Sequence, residues 1–153
     1  MRTSWVIGDG RNFVRTMLSL AERGGVDPSV VDDQIGRLTF TSDLARAIRH
    51  LVETRALYGT YNVTGSGPVT SWADVARRVF ELAGHDPSRV TGGVSTAEYF
   101  SAATNPVAPR PLYGGVLDLA KVESTGGFVP ADADSSLQSY LRLETRLEAQ
   151  NAH

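Results

Sequence analysis

Apolar and polar positions alternate in two rhythms along this chain, and the changes of rhythm predict its elements. Residues 2–7 place Trp5, Val6 and Ile7 directly before Gly8, and read as a short strand. From Asn12 onward, Phe13, Val14, Met17, Leu18 and Ala21 recur at helical spacing until Gly24 and Gly25 stop the helix. Val30 and Val31 start a second strand. Residues 33–39 read as its loop, leading to a helix with Leu44, Ala45, Ala47, Ile48, Leu51 and Val52 on one side. Thr41 or Ser42 is expected to cap that helix by accepting from its first free N–H groups.

Residues 59–64 read as a third strand. A helix capped by Thr70 or Ser71 follows, carrying Trp72, Val75, Ala76, Val79, Phe80 and Leu82 and ending at Gly84, before the turn-forming Asp86-Pro87. Residues 90–111 are expected to be irregular, because Pro106, Pro109 and Pro111 restrict both strand and helix. Residues 116–118 suit a short extended piece before a helix near Leu119. A last amphipathic helix starts at about Asp134, with Leu137, Tyr140, Leu141 and Leu147 as its apolar side. The tail, residues 150–153, has nothing to pack against and is expected to fray. Strand and helix alternate at first and helices and loops dominate later, so the fold class is α/β. No linker or low-complexity segment interrupts the pattern.

Composition narrows the function classes. The 153 residues suit one domain, with 41% hydrophobic and 21% charged residues, as in an ordinary soluble globular protein. Fifteen Lys and Arg against 17 Asp and Glu give a net charge of −2, which argues against generic nucleic-acid binding. No apolar stretch approaches the roughly 20 residues that cross a bilayer, and the start lacks the pattern of a signal peptide. With no cysteine there is neither a disulfide nor a thiolate metal site, and a cytoplasmic location is expected.

Two strand–Gly-x-Gly–helix stretches raise the question of a dinucleotide. A phosphate-cradling loop needs a third glycine three positions after the second, so that helix and strand approach closely. That place holds Phe13 after Gly8 and Gly10, and Thr70 after Gly65 and Gly67. Neither loop is followed by a lysine or by a suitably placed acidic residue, so no cofactor loop is expected in this chain. His50, His85 and His153 lie apart, with no carboxylate at metal-ligand spacing, and His50 is expected to be solvated on the polar side of its helix. Lys121, the one lysine of the sequence, is expected to be a solvated helix residue. No Gly-x-Ser-x-Gly elbow supports a hydrolase, and no Tyr-x-x-x-Lys pair supports a reductase proton relay.

Three stretches carry a family resemblance. The first is Arg2-Thr3-Ser4-Trp5-Val6 with Asn12-Phe13. The second is Val31-Asp32-Asp33-Gln34-Ile35-Gly36, leading through Thr39-Phe40-Thr41 to Asp43-Leu44-Ala45. The third is Ala108-Pro109-Arg110-Pro111 with Val116-Leu117-Asp118. In this order they resemble the C-terminal, substrate-binding half of dTDP-4-dehydrorhamnose reductases, extended short-chain dehydrogenases/reductases, over residues 1 to about 143. The resemblance implies the C-terminal part of a Rossmann-like fold, with few short strands, flanking helices and the N-terminal cofactor-binding half missing. Residues 1–149 are then a sugar-nucleotide-binding portion.

In that family the whole enzyme reduces a dTDP-4-keto-6-deoxy sugar to dTDP-L-rhamnose with NADPH or NADH. The resemblance implies that this chain is inactive alone, binds a dTDP-sugar but no cofactor, and pairs with the missing half or with copies of itself. A non-catalytic reductase-like regulatory module, or another sugar-nucleotide epimerase or reductase, are the alternative readings. The implied substrate-binding residues are Trp5, Asn12, Phe13, Asp33, Gln34, Gly36 and Arg110; no catalytic residue is carried over. An indole face at Trp5 would cover the apolar side of the deoxysugar, a core tryptophan being the other reading. Arg110 offers paired donors to a diphosphate, or is a surface arginine in a proline-rich loop. Leu38 stands where the family commonly has proline, and Tyr113-Gly114-Gly115 replaces its usual Asn-Ser pair.

Overall fold

The computed structural model describes residues 1–101 and 115–151. In chain order the elements are β1 (Val6–Ile7), α1 (Phe13–Arg23), β2 (Ser29–Val31), β3 (Ile35–Gly36), β4 (Thr39–Phe40) and α2 (Thr41–Glu53). They continue with β5 (Thr70–Ser71), α3 (Trp72–Leu82), a 3-10 turn at Pro87–Arg89, β6 (Thr91–Val94), α4 (Thr96–Ser101), α5 (Ala120–Glu123) and α6 (Ala133–Asn151). The strands pair two by two: β1 with β4 and β2 with β6 in parallel, β3 with β5 antiparallel. This is a mixed α/β fold with few short strands. Packing divides it into two compact units built from interleaved segments, 1–10, 37–68 and 116–153 in one, 11–36 and 69–115 in the other. Because each unit takes several stretches of chain, no linker marks a boundary in the sequence.

The first unit is organised on β1 and β4. The strand expected over residues 2–7 is shorter than its composition suggested. Arg2 forms a separate parallel bridge to Asn62, donating from its N–H to the Tyr61 carbonyl at 2.8 Å and accepting from Val63 N at 2.9 Å. Trp5, at φ 49°, then turns the chain before β1 begins. The third strand expected at residues 59–64 is reduced to that same bridge. Apolar burial of Ala47, Tyr61, Val63, Leu119, Val122 and Phe128 holds this unit together.

Neither Thr41 nor Ser42 caps α2. The helix already begins at Thr41, its N-cap is Phe40, and no side chain accepts from its first turn. The first turn instead carries buried Asp43, which pairs with Arg46 at 2.9 Å and accepts from Ser136 Oγ at 3.4 Å. His50 is not solvated as expected: its Nε2 lies 2.8 Å from Thr125 Oγ1 and its ring centroid 5.5 Å from that of Phe128. Lys121 is exposed on α5, as expected, with its Nζ 4.5 Å above the Tyr61 ring. Residues 116–118 form no strand; Asp118 accepts from Ala120 N at 2.9 Å and so opens α5. The last helix continues through Gln150 and Asn151.

In the second unit, α1 and α3 bury Val14, Met17, Leu18, Ala21, Val75, Ala76, Val79 and Phe80 together with Val30 and Val31 of β2. Both helices follow the expected pattern. Gly24 ends α1 at φ 65°, a conformation that glycine reaches without a Cβ penalty. Ser71 caps α3 in a reciprocal capping box with Asp74. Residues 90–101 depart from the irregular coil expected of them: β6 pairs with β2, and Ser95 with Glu98 forms a second capping box over α4. The three prolines behind that expectation all lie beyond the described residues.

Candidate functional site

The second unit holds a cleft of about 470 Å³, and the local chemistry of three chain segments builds it. Asn12 starts α1 by accepting from Arg15 N with its Oδ1 at 3.0 Å, which fixes Phe13 as the first helical residue. The capping box does the same for Trp72 at the start of α3. Two helix starts therefore set two aromatic rings side by side, centroids 4.6 Å apart and tilted by 58°. The antiparallel pair β3–β5 sets Ile35 opposite Ser71 and Gly36 opposite Thr70, so Gln34 arrives next to Trp72. Met17 and Leu20 of α1, Val30 and Val31 of β2, and Tyr99 of α4 complete an apolar lining.

A hydrogen-bonded relay stands at one wall. Both carboxylate oxygens of Asp33 accept from Thr96 N, at 3.0 and 2.9 Å, and Oδ1 also accepts from Thr96 Oγ1 at 2.5 Å. Gln34 Nε2 donates to the same Thr96 oxygen at 3.1 Å. The Thr96 hydroxyl, joined by its amide, holds the Asp33 carboxyl below the usual carboxylate range. Ionised Asp33 can only accept, so the hydroxyl proton of Thr96 points at it.

Of the residues singled out in the sequence, Phe13 and Gln34 line this one cleft, and Asn12 and Asp33 support it from behind. Gly36 lies in β3. Trp5 belongs to the other unit, where it precedes β1 rather than ending it and accepts from Thr39 N at 3.0 Å through its carbonyl. Arg110 falls outside the described residues. Trp72, Thr96 and Tyr99 were missed. Trp72 was read only as a core position of its helix. Ser95-x-x-Glu98, a capping-box spacing, was the signal that would have placed a helix carrying Thr96 and Tyr99 at the cleft.

The remaining chemistry is sparse. Among the described residues no group of three or more His, Asp or Glu side chains could hold a metal ion. No helix among them is long and apolar enough to cross a membrane. The glycines of the first loop differ in their surroundings. A Cβ on Gly8 would come within 2.5 Å of the Thr41 side chain, so this glycine serves close packing. In the first turn of α1, Asn12 Oδ1 accepts from Arg15 N.

Residues 1–145 match the family model described as the RmlD substrate binding domain. The chain belongs to this family. A dTDP-4-dehydrorhamnose reductase of Aggregatibacter actinomycetemcomitans is 33% identical over 145 residues, 91% of this chain and 48% of that protein. The spore coat polysaccharide biosynthesis protein SpsK of Bacillus subtilis is 38% identical, covering 93% of this chain and 46% of its own length. The solved dTDP-4-dehydrorhamnose reductase of Clostridium acetobutylicum superposes with a TM-score of 0.78 at 36% identity, over 94% of this chain and 48% of that one. A Bacillus anthracis reductase of the same name, solved in complex with NADP, gives 0.73 at 33% identity over 92% and 46%. This RmlD substrate binding domain thus spans about half the length of the relatives it matches, and the solved folds share the α/β architecture that the Asp-Gln-x-Gly and Thr-x-Asp-Leu-Ala stretches implied.

Proposed function

We infer that this chain binds a dTDP-linked 4-keto-6-deoxy sugar, as the substrate-binding portion of a reductase that forms dTDP-L-rhamnose. The observation that carries this reading is the cleft on Phe13, Gln34 and Trp72, in a chain matched by a substrate-binding domain family. Paired aromatic faces and an apolar lining suit a nucleobase, and one amide on the wall gives it direction. Asn12 and Asp33 hold the walls in place, and Gly36 keeps the loop in register with β5. Trp5 is assigned to the apolar side of the deoxysugar and Arg110 to the diphosphate.

When bound, a nicotinamide cofactor supplies the hydride that reduces the 4-keto group. This sequence contains no Tyr-x-x-x-Lys pair to deliver the accompanying proton, and Gly8 and Gly10 are built for packing and turning. The part assigned to these residues is to bind and orient the sugar nucleotide.

Thermal unfolding with and without dTDP-rhamnose tests the reading. A ligand at roughly 100 times its dissociation constant adds about 2.7 kcal/mol and moves the midpoint by several degrees. A melt that ignores the ligand overturns the assignment. NADPH added to the chain alone is expected to leave the same melt unmoved. Arg110→Ala is expected to weaken binding by about 1.5–3 kcal/mol, the range of a charge-assisted contact, as read by isothermal titration. An unchanged affinity removes Arg110 from the diphosphate site.

A further inference from the structure

We propose that Gln34, locked by the Asp33–Thr96 pair, selects the base of the bound nucleotide by accepting from a ring imide N–H, and so favours 2,4-dioxopyrimidines over cytosine. This deepens the reading of the cleft as the base pocket of a nucleotide-sugar site and rests on it.

The geometry carries the inference through a chain of forced donors. Asp33 accepts from both the amide and the hydroxyl of Thr96. A hydroxyl has one proton, and here Asp33 takes it, so the same oxygen can only accept from its other neighbour. That neighbour is Gln34 Nε2 at 3.1 Å. A terminal amide can ordinarily turn over and exchange its oxygen and nitrogen, because the two ends are nearly equal in shape. Turned over here, it would set Oε1 against an oxygen with no proton to give. The amide therefore keeps its nitrogen toward Thr96 and its oxygen free of any partner among the described residues.

Gln34 also lines the cleft beside the Phe13–Trp72 pair. A base stacked there meets an acceptor of fixed direction. Thymine and uracil carry a proton on ring N3 and satisfy it. Cytosine carries a lone pair at N3, and two acceptors face each other. Leaving buried acceptors unpaired is what makes such a wall selective, more than the gain from the matched bond. Asp33 is a positioning residue in this scheme, acting on the ligand only through Thr96 and Gln34.

The test is isothermal titration of the full chain with dTDP, dUDP, dCDP and N3-methyl-dTDP. The expected result is similar affinity for dTDP and dUDP, with dCDP and the N3-methylated analogue weaker by roughly tenfold or more, the worth of one hydrogen bond lost against an unpaired acceptor. Gln34→Leu should bring the dTDP to dCDP ratio to near one. Asp33→Asn should narrow that ratio, since it releases the lock without removing the acceptor. If dTDP binds and the N3-methylated analogue binds equally well, the inference falls and the nucleotide site stands. If Gln34→Leu keeps the wild-type ratio with an intact circular dichroism melt, it falls as well. No binding of dTDP at all overturns both. The analogue needs no mutation, so a Gln34→Leu protein that fails to fold still leaves the inference decided.

Discussion

Truncating Phe80 to alanine is expected to lower stability by about 3–5 kcal/mol, the range for removing a fully buried phenylalanine and leaving its cavity behind. Phe80 is fully buried on α3, among the residues that join α1, α3 and β2. Its ring also lies under the guanidinium of Arg89, 5.1 Å from the centroid. The loss therefore combines a core cavity with the loss of a cation–π contact. For a chain of this size each kcal/mol moves the midpoint by a few degrees, so a fall of roughly 10 °C or more is expected in a melt followed by circular dichroism. A fall of less than about 3 °C would mean that the unit's core does not depend on this helix face.

Phe80 is the kind of residue a sequence discloses. The helical spacing of Val75, Ala76, Val79 and Phe80 repeats without interruption, and burial follows from the repeat. The same reasoning placed α1 and its stop at Gly24-Gly25, and the cap of α3 at Thr70 or Ser71, of which Ser71 is the cap. It failed where short elements owe their existence to distant partners. Residues 59–64 have strand composition, yet only Asn62 finds a bridge, because Trp5 turns its partner segment aside. Residues 91–94 include two glycines and look unlike a strand, yet β2 offers them a parallel edge. Solvation was misjudged for the same reason. His50 meets Thr125, 75 residues away in sequence, and no local pattern announces such a partner.

The candidate site divides along the same line. Phe13 and Gln34 were legible through the family's sequence stretches, and the cleft brings them together. What those stretches did not reveal is how the site is held. Asp33 reads as a ligand-facing carboxylate when only its own loop is considered, whereas its oxygens are engaged by Thr96, 63 residues later. The wall that fixes Gln34 is thus set by α4, within residues whose local pattern suits coil. That coupling makes the stability of the walls a functional matter, since a loosened wall lets the amide turn over.

Arg89→Met is the second large expected effect, about 2–4 kcal/mol of stability, and it reaches the cleft. Arg89 Nη1 donates to the Ala21 carbonyl at 3.0 Å, and Nη2 donates to the carbonyls of Leu20 at 3.4 Å and Val26 at 3.1 Å. Its Nε pairs with Asp27 at 3.1 Å. One guanidinium thus donates to two of the free carbonyls at the end of α1, those of Leu20 and Ala21, and places positive charge where the helix dipole is negative. Methionine keeps much of the stem's packing on Phe80 and removes every donor, so the measured loss isolates the polar contribution. Leu20 lines the cleft, and Pro28, which follows the tethered turn, lines it as well. The variant is therefore expected to weaken dTDP binding along with stability, while Arg49→Met, which loses an exposed surface pair with Glu53, should stay within about 0.5 kcal/mol of the parent. Combining Arg89→Met with Phe80→Ala should cost less than the sum of the two, because each removes the same ring–guanidinium contact. Strict additivity, or an Arg89→Met protein with parental stability and dTDP affinity, would show that the end of α1 holds without this arginine.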